Sequence, residues 1–205
     1  MGEQQARSSI AKISRPRVSG VLARERLFRL IDRSREQPVV WVSAPAGSGK
    51  TTLVSSYLDS RKLPSVCYQV DEGDADLATF FYYLGLAAKK AAPRYKHPLP
   101  LLTPEYRIGI PTVTRRFFEN LCNRLKPPYC LVFDNYQTVT HDSMFHEIVK
   151  TGLSHLSEGL RAIVVSRNEP PAVKVYKRCR SVLAANLGIE PSEVTERMYG
   201  QKERR

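Results

Sequence analysis

The stretch Ala44-Pro45-Ala46-Gly47-Ser48-Gly49-Lys50-Thr51 limits the architecture more than any other part of the chain. It follows a β-branched apolar run at 39–43 directly and leads straight into a segment with helical periodicity at 51–59. A glycine-rich loop of the A-x-x-x-x-G-K-T form in that strand-to-helix setting is a P-loop. Gly47 and Gly49 let the backbone curl so that successive N–H groups converge on phosphate oxygens, and the following helix adds its positive N-terminal end. Lys50 is then expected at the β- and γ-phosphates of a nucleoside triphosphate. The Thr51 hydroxyl is expected on Mg²⁺, which prefers oxygen ligands and retains several waters.

A P-loop needs a carboxylate beside it to steady the metal, and Cys130-Leu131-Val132-Phe133-Asp134 is an apolar run that ends in one. Asp134 is therefore the expected metal-side acid, and Lys50 and Asp134 are the residues expected to carry any chemistry. Asn135 follows where a second carboxylate would serve as general base, so slow turnover at most is expected. At the end of another apolar run, Val164-Val165-Ser166-Arg167 could bring Arg167 toward the γ-phosphate, or leave it as a solvated surface arginine. The acidic group Asp71-Glu72-Gly73-Asp74 reads better as a helix cap than as a metal site. His97, His141, His146 and His155 lack metal-ligand spacing with supporting carboxylates.

Apolar runs at 39–43, 65–70, 129–133 and 162–166 alternate with helical patterns at 51–59, 77–89, 113–125 and 144–156. That alternation predicts an α/β three-layer sandwich around a parallel sheet. An amphipathic helix is expected over 21–33, with Leu22, Leu27, Leu30 and Ile31 as its apolar face, and a proline-rich irregular excursion over 91–111. The division expected is an arm and helix at 1–36, a P-loop core at 37–171 and a helical tail at 172–205.

With 42% hydrophobic residues among 205, the chain can bury one core. Its formal charge of +12 fits either an anionic partner or a solvated basic surface, because Lys and Arg are scattered along its length. Cys67, Cys122, Cys130 and Cys179 show no CxxC spacing, and three lie in apolar runs, which predicts reduced thiols and a cytoplasmic protein. No apolar stretch approaches the length of a membrane span, so no membrane association is expected.

Residues 13–171 resemble the start of the NTPase domain of MalT-like (LuxR-type) bacterial transcription regulators, within the signal-transducing STAND P-loop ATPases. The resemblance rests on Ser14-Arg15-Pro16-Arg17, on Val42 through Leu53 including Thr52, and on Gln69-Val70-Asp71-Glu72-Gly73-Asp74. It rests equally on Phe80-Phe81-Tyr82-Tyr83-Leu84, Leu131-Val132-Phe133-Asp134-Asn135-Tyr136 and Ser166-Arg167-Asn168-Glu169-Pro170-Pro171. It implies an ATP- and Mg²⁺-dependent switch bound through Ala44, Pro45, Ala46, Gly47, Ser48, Gly49, Lys50, Thr51 and Thr52, with Arg167 as nucleotide sensor. Self-association or a regulator protein would be the partner.

Residues 175–191 are similar to the final helices of a bacterial transcriptional activator domain. The juxtaposition implies an internally shortened regulator whose NTPase core is incomplete. Direct DNA binding is not expected, since no recognition helix or matched basic stripe is evident. Two other readings stay open from sequence: a competent P-loop ATPase or small-molecule kinase, and a remnant without function.

Overall fold

Strand residues of alternating parity face opposite ways, and here both faces are apolar, which is the pattern of a parallel sheet covered on both sides. The computed structural model describes residues 11–18, 20–34, 37–102 and 109–170. Among these lie four strands, β1 (Val39–Ser43), β2 (Ser65–Gln69), β3 (Tyr129–Asp134) and β4 (Leu160–Ser166). Five α-helices accompany them: α1 (Glu25–Arg33), α2 (Lys50–Ser60), α3 (Leu77–Ala91), α4 (Ile110–Arg124) and α5 (Met144–Ser154). The sheet is wholly parallel, with strand order β1-β4-β3-β2.

Leu131, Phe133, Leu160, Ala162 and Val164 pack on one side with Phe80 and Leu84 of α3, Phe117 and Leu121 of α4, and Phe145 and Ile148 of α5. Cys130, Val132, Ile163 and Val165 pack on the other with Phe28 and Ile31 of α1 and Leu53, Val54 and Leu58 of α2. The expected three-layer α/β sandwich is therefore present. In the larger layer the rings interlock edge to face, with Phe80 and Phe145 at 5.1 Å and Phe81 and Phe117 at 4.9 Å between centroids. Each such fully buried ring contributes about 1.5–3 kcal/mol by leaving water. Gly152 lets α5 approach α4 closely, since a Cβ there would overlap the Phe118 ring.

Local chemistry sets the helix starts. Asp76 accepts from the Thr79 amide at the head of α3, Ser143 accepts from Phe145 at the head of α5, and Pro111 lies in the first turn of α4. The excursion expected to end at 111 gives way to α4 at Ile110. The helix expected over 21–33 begins only at Glu25, and its buried residues are Phe28 and Ile31. Leu22, which precedes the helix, and Leu30, on the side of it away from Phe28, are instead exposed, while Leu27 and Ile31 of the expected face pack with Phe28 toward the sheet.

The described residues up to Arg167 belong to one compact unit. The helical tail expected at 172–205, and its likeness to an activator domain, lie outside the described residues, as does Cys179. Cys122 is a buried free thiol, Cys130 is buried in the sheet, and Cys67 is half-buried with its thiol pushed upward in pKa by burial. Among the described residues no helix is long and apolar enough to cross a membrane.

Candidate nucleotide-binding site

Three parallel strands end together at one edge of the sheet. Ser43 pairs with Ser166, Gln69 pairs with Asp134, and Phe133 pairs with Val164, so β1, β3 and β4 release their following loops side by side. Ligands of open α/β sheets gather at this carboxyl edge.

Ala44 to Gly49 form the loop leaving β1. The Ala44 amide still donates to the Ser166 carbonyl at 3.4 Å, so the loop is rooted in the sheet before it turns. Gly47 and Gly49 take φ of +75° and +76°, a left-handed conformation that any Cβ would strain. Gly49 is the cap of α2, and the Leu53 amide donates to its carbonyl at 2.8 Å. Neither Gly49 nor the helix offers a side-chain cap, which leaves the first amides of α2 available to an anion. Pro45, Ala46 and Gly47 are exposed at the crest of the loop, and Thr52 is half-buried in the first turn of α2.

The Lys50 ammonium lies against this loop, donating to the carbonyls of Ala44 at 2.7 Å and Pro45 at 2.8 Å. Its charge is therefore held against the loop by two of the loop's own carbonyls. Thr51 Oγ1 donates to Asp134 Oδ2 at 2.7 Å, and the other oxygen, Oδ1, accepts from the Asn135 amide at 2.9 Å. A threonine hydroxyl and a carboxylate in contact, with no sulfur or nitrogen between them, form an all-oxygen pair suited to a hard cation such as Mg²⁺. A cavity of about 30 Å³ beside them, roofed by Ser14 and Pro16, has room for about one water.

Sequence reasoning missed two residues at this edge. Arg24, just before α1, donates to the Ser48 carbonyl at 3.2 Å, and its Nη2 lies 3.2 Å from where a Cβ on Gly49 would stand. No local pattern marks an arginine 24 residues from its partner. Gln137 is the other: its Oε1 accepts from the Arg167 amide at 2.9 Å, which ties the loop after β3 to the end of β4. Arg167 itself is exposed, one residue beyond Ser166.

Asp71 and Asp74 act as a cap. The Asp71 side chain accepts from the Gly73 amide and the Asp74 side chain accepts from the Asp71 amide, a reciprocal box around the short 3₁₀ turn Glu72–Ala75. Asp74 is also fully buried, accepting from Tyr68 Oη at 2.6 Å and pairing with Lys12 Nζ at 2.9 Å. Burial and the adjacent Asp74 push the Tyr68 phenol far upward in pKa, so it stays a donor. Of the histidines, His146 Nε2 lies 2.9 Å from the Thr140 carbonyl and His155 Nδ1 lies 2.8 Å from that of Thr151.

This arrangement has relatives. The HTH-type transcriptional regulator MalT of Serratia proteamaculans is 31% identical over 175 residues, covering 84% of this chain. The chain is a distant relative of the MalT regulators. The MalT of Vibrio parahaemolyticus is 28% identical over 199 residues and 94% of the chain, and that of Klebsiella pneumoniae 28% over 162 residues and 78%. The chain spans only 18% to 22% of the length of these MalT proteins, and the likeness is to the MalT-like N-terminal region. With 94% of the chain inside it, the Vibrio match continues into 172–205. No family model matches the chain.

Proposed function

We propose that the chain is the nucleotide-binding switch module of a MalT-like transcription regulator, taking ATP with Mg²⁺ at the loop between β1 and α2. The observation that carries this reading is the Thr51–Asp134 contact at 2.7 Å, which sets a hydroxyl and a carboxylate beside the Lys50 ammonium and the uncapped start of α2. The loop amides and Lys50 would hold the phosphates, and Thr51 and Asp134 would hold the metal. When bound, Mg²⁺ would neutralise charge on the β- and γ-phosphates. The kinship with transcription regulators named MalT supports a switching role over a metabolic one.

Turnover is slow or absent on this reading. Asn135 occupies the position after Asp134 where a second carboxylate would activate water, and its backbone amide is spent on Asp134 Oδ1. Arg167 follows a strand register-matched to the one feeding the loop, and Gln137 anchors its amide, which supports a role in sensing the γ-phosphate. The arm at 1–36, core at 37–171 and tail at 172–205 complete the proposed organisation. Self-association or a regulator protein in the cytoplasm would receive the signal.

Equilibrium binding of a fluorescent ATP analogue, with and without Mg²⁺, to the intact chain and to Lys50→Ala tests this. Saturable binding that Mg²⁺ strengthens and Lys50→Ala abolishes is the expected result. Binding unaffected by Lys50→Ala, or none by a cooperatively folded chain, overturns it.

A further inference from the structure

The charges of α1 are divided between its sides. Arg26, Arg29 and Arg33 lie on its outward side around Leu30, at the helical spacings that share one face, and all four are exposed. Phe28 and Ile31, with Leu27, occupy the opposite side against the core. The two acids of the helix are placed to neutralise the arginines, since Glu25 stands four residues before Arg29 and Asp32 three after it. Both turn instead to Arg61 at the end of α2, Glu25 at 3.3 Å and Asp32 at 2.8 Å, and Asp32 also accepts from Tyr57 at 3.0 Å. Among the described residues, none of Arg26, Arg29 and Arg33 has an ion pair or a side-chain hydrogen bond.

We propose that this face is a docking surface for an acidic amphipathic helix of a partner protein. The three guanidiniums spread over about 10 Å of helix axis, which matches carboxylates one and two turns apart on a facing helix. Each planar fork takes both oxygens of one carboxylate. Leu30 among them decides the class of partner. A phosphate backbone would set charged oxygens against it, whereas a helix with an apolar residue between its acids covers it. An anionic bilayer requires a wide apolar face, and the one that α1 has is occupied by the core. A second copy of the chain carries the same charge of +12 and is repelled. The surface stands apart from the nucleotide reading, because none of these residues belongs to the P-loop.

The probe is an alanine-rich helical peptide of about 20 residues, long enough to hold a helix in water. It carries glutamates at i, i+3 and i+7 and a leucine at i+4, and is titrated by NMR at low salt into the full isotope-labelled chain. Saturable binding that perturbs residues 26–33 is expected, at least about tenfold tighter than for the same peptide with glutamines in place of glutamates. Arg26→Glu/Arg29→Glu/Arg33→Glu should abolish binding, and Leu30→Ser should weaken it at least about threefold. Arg115→Glu/Arg116→Glu/Lys126→Glu, an equal change of net charge at exposed positions on and just after α4, should retain it, as should Lys50→Ala. The proposal is overturned by no saturable binding, by equal binding of the glutamine peptide, by an unaffected Leu30→Ser, or by equal loss in the α4 variant or Lys50→Ala. It is overturned as well if duplex DNA or phosphatidylserine vesicles lose more affinity than the peptide when the α1 arginines are reversed. The comparison of the two peptides on the unmodified chain decides the matter even where the α1 variant fails to fold.

Discussion

Thr51 and Asp134 stand 83 residues apart in the chain and 2.7 Å apart in space, hydroxyl to carboxylate. The contact exists because α2 starts at Lys50, which places Thr51 in its first turn, while β3 ends at Asp134 on the same edge. Neither residue has to move far for both to face one cation.

Substituting either member should therefore uncouple metal from nucleotide. Thr51→Val and Asp134→Asn are each expected to weaken the Mg²⁺-dependent part of ATP binding by about 10–100-fold, with smaller effects on binding without metal. Because the two side chains act on one ion, the double variant should lose less than the product of the single losses. Titrations at fixed ionic strength with and without Mg²⁺ measure this, and full additivity would mean that the pair is structural only.

Gly49 should resist replacement because of its backbone conformation. At φ of +76°, Gly49→Ala is expected to destabilise the fold by about 1–2 kcal/mol. The neighbouring Arg24 guanidinium is the far end of a flexible side chain and can yield, so Gly49→Ala/Arg24→Ala should be no more stable than Gly49→Ala. Urea unfolding distinguishes this from a steric origin, in which the double variant would recover.

Lys12 ties the arm to the core through a buried ion pair. Its ammonium pairs with Asp71 at 2.6 Å and Asp74 at 2.9 Å, and it lies over the Tyr68 ring at 5.2 Å from the centroid. Lys12→Met leaves Asp74 buried without its cation and should lower stability by about 3–5 kcal/mol, read as a shift in the urea midpoint. A loss below about 1 kcal/mol, the range of surface pairs, would show that the arm is not seated there.

Stability should fall at alkaline pH. The Tyr68 phenol has its pKa raised by burial and by Asp74, so folding favours its protonated form. That contribution is intact below the ordinary phenol value of 10.0 and is lost progressively as pH rises above it, because the unfolded chain then releases the proton that the folded chain holds. Tyr136, whose pKa is also raised by burial, acts in the same direction. Urea midpoints from pH 8 to 11 should fall less steeply for Tyr68→Phe than for the unmodified chain, and parallel profiles would exclude Tyr68 as the source.

The loop at 44–51, the acid at 134 and the α/β class could be read without a structure because each is a local matter. Two-residue and 3.6-residue periods reveal which segments bury both faces or one, and the glycine spacing reports a backbone that side-chain-bearing residues would strain. Those signals located all four strands and the P-loop-to-helix junction within a residue or two. Asp71 and Asp74 were legible as a cap for the same reason, being three apart around one turn.

Tertiary structure decided what depends on partners distant in sequence. Strand order put β4 between β1 and β3, which brought Arg167 next to the loop after β1, and nothing in the periodicity of 160–166 contains that choice. Arg24 against Ser48 and Lys12 with Asp74 both arose from packing. Even the apolar face of α1 was settled there: of the stripe Leu22, Leu27, Leu30 and Ile31, Leu27 and Ile31 pack with Phe28 against the core, and Leu22 and Leu30 face solvent. Local sequence determines which conformations a segment prefers, whereas burial of a charge or selection of a helix face depends on the free energy of contacts made only once distant segments come together.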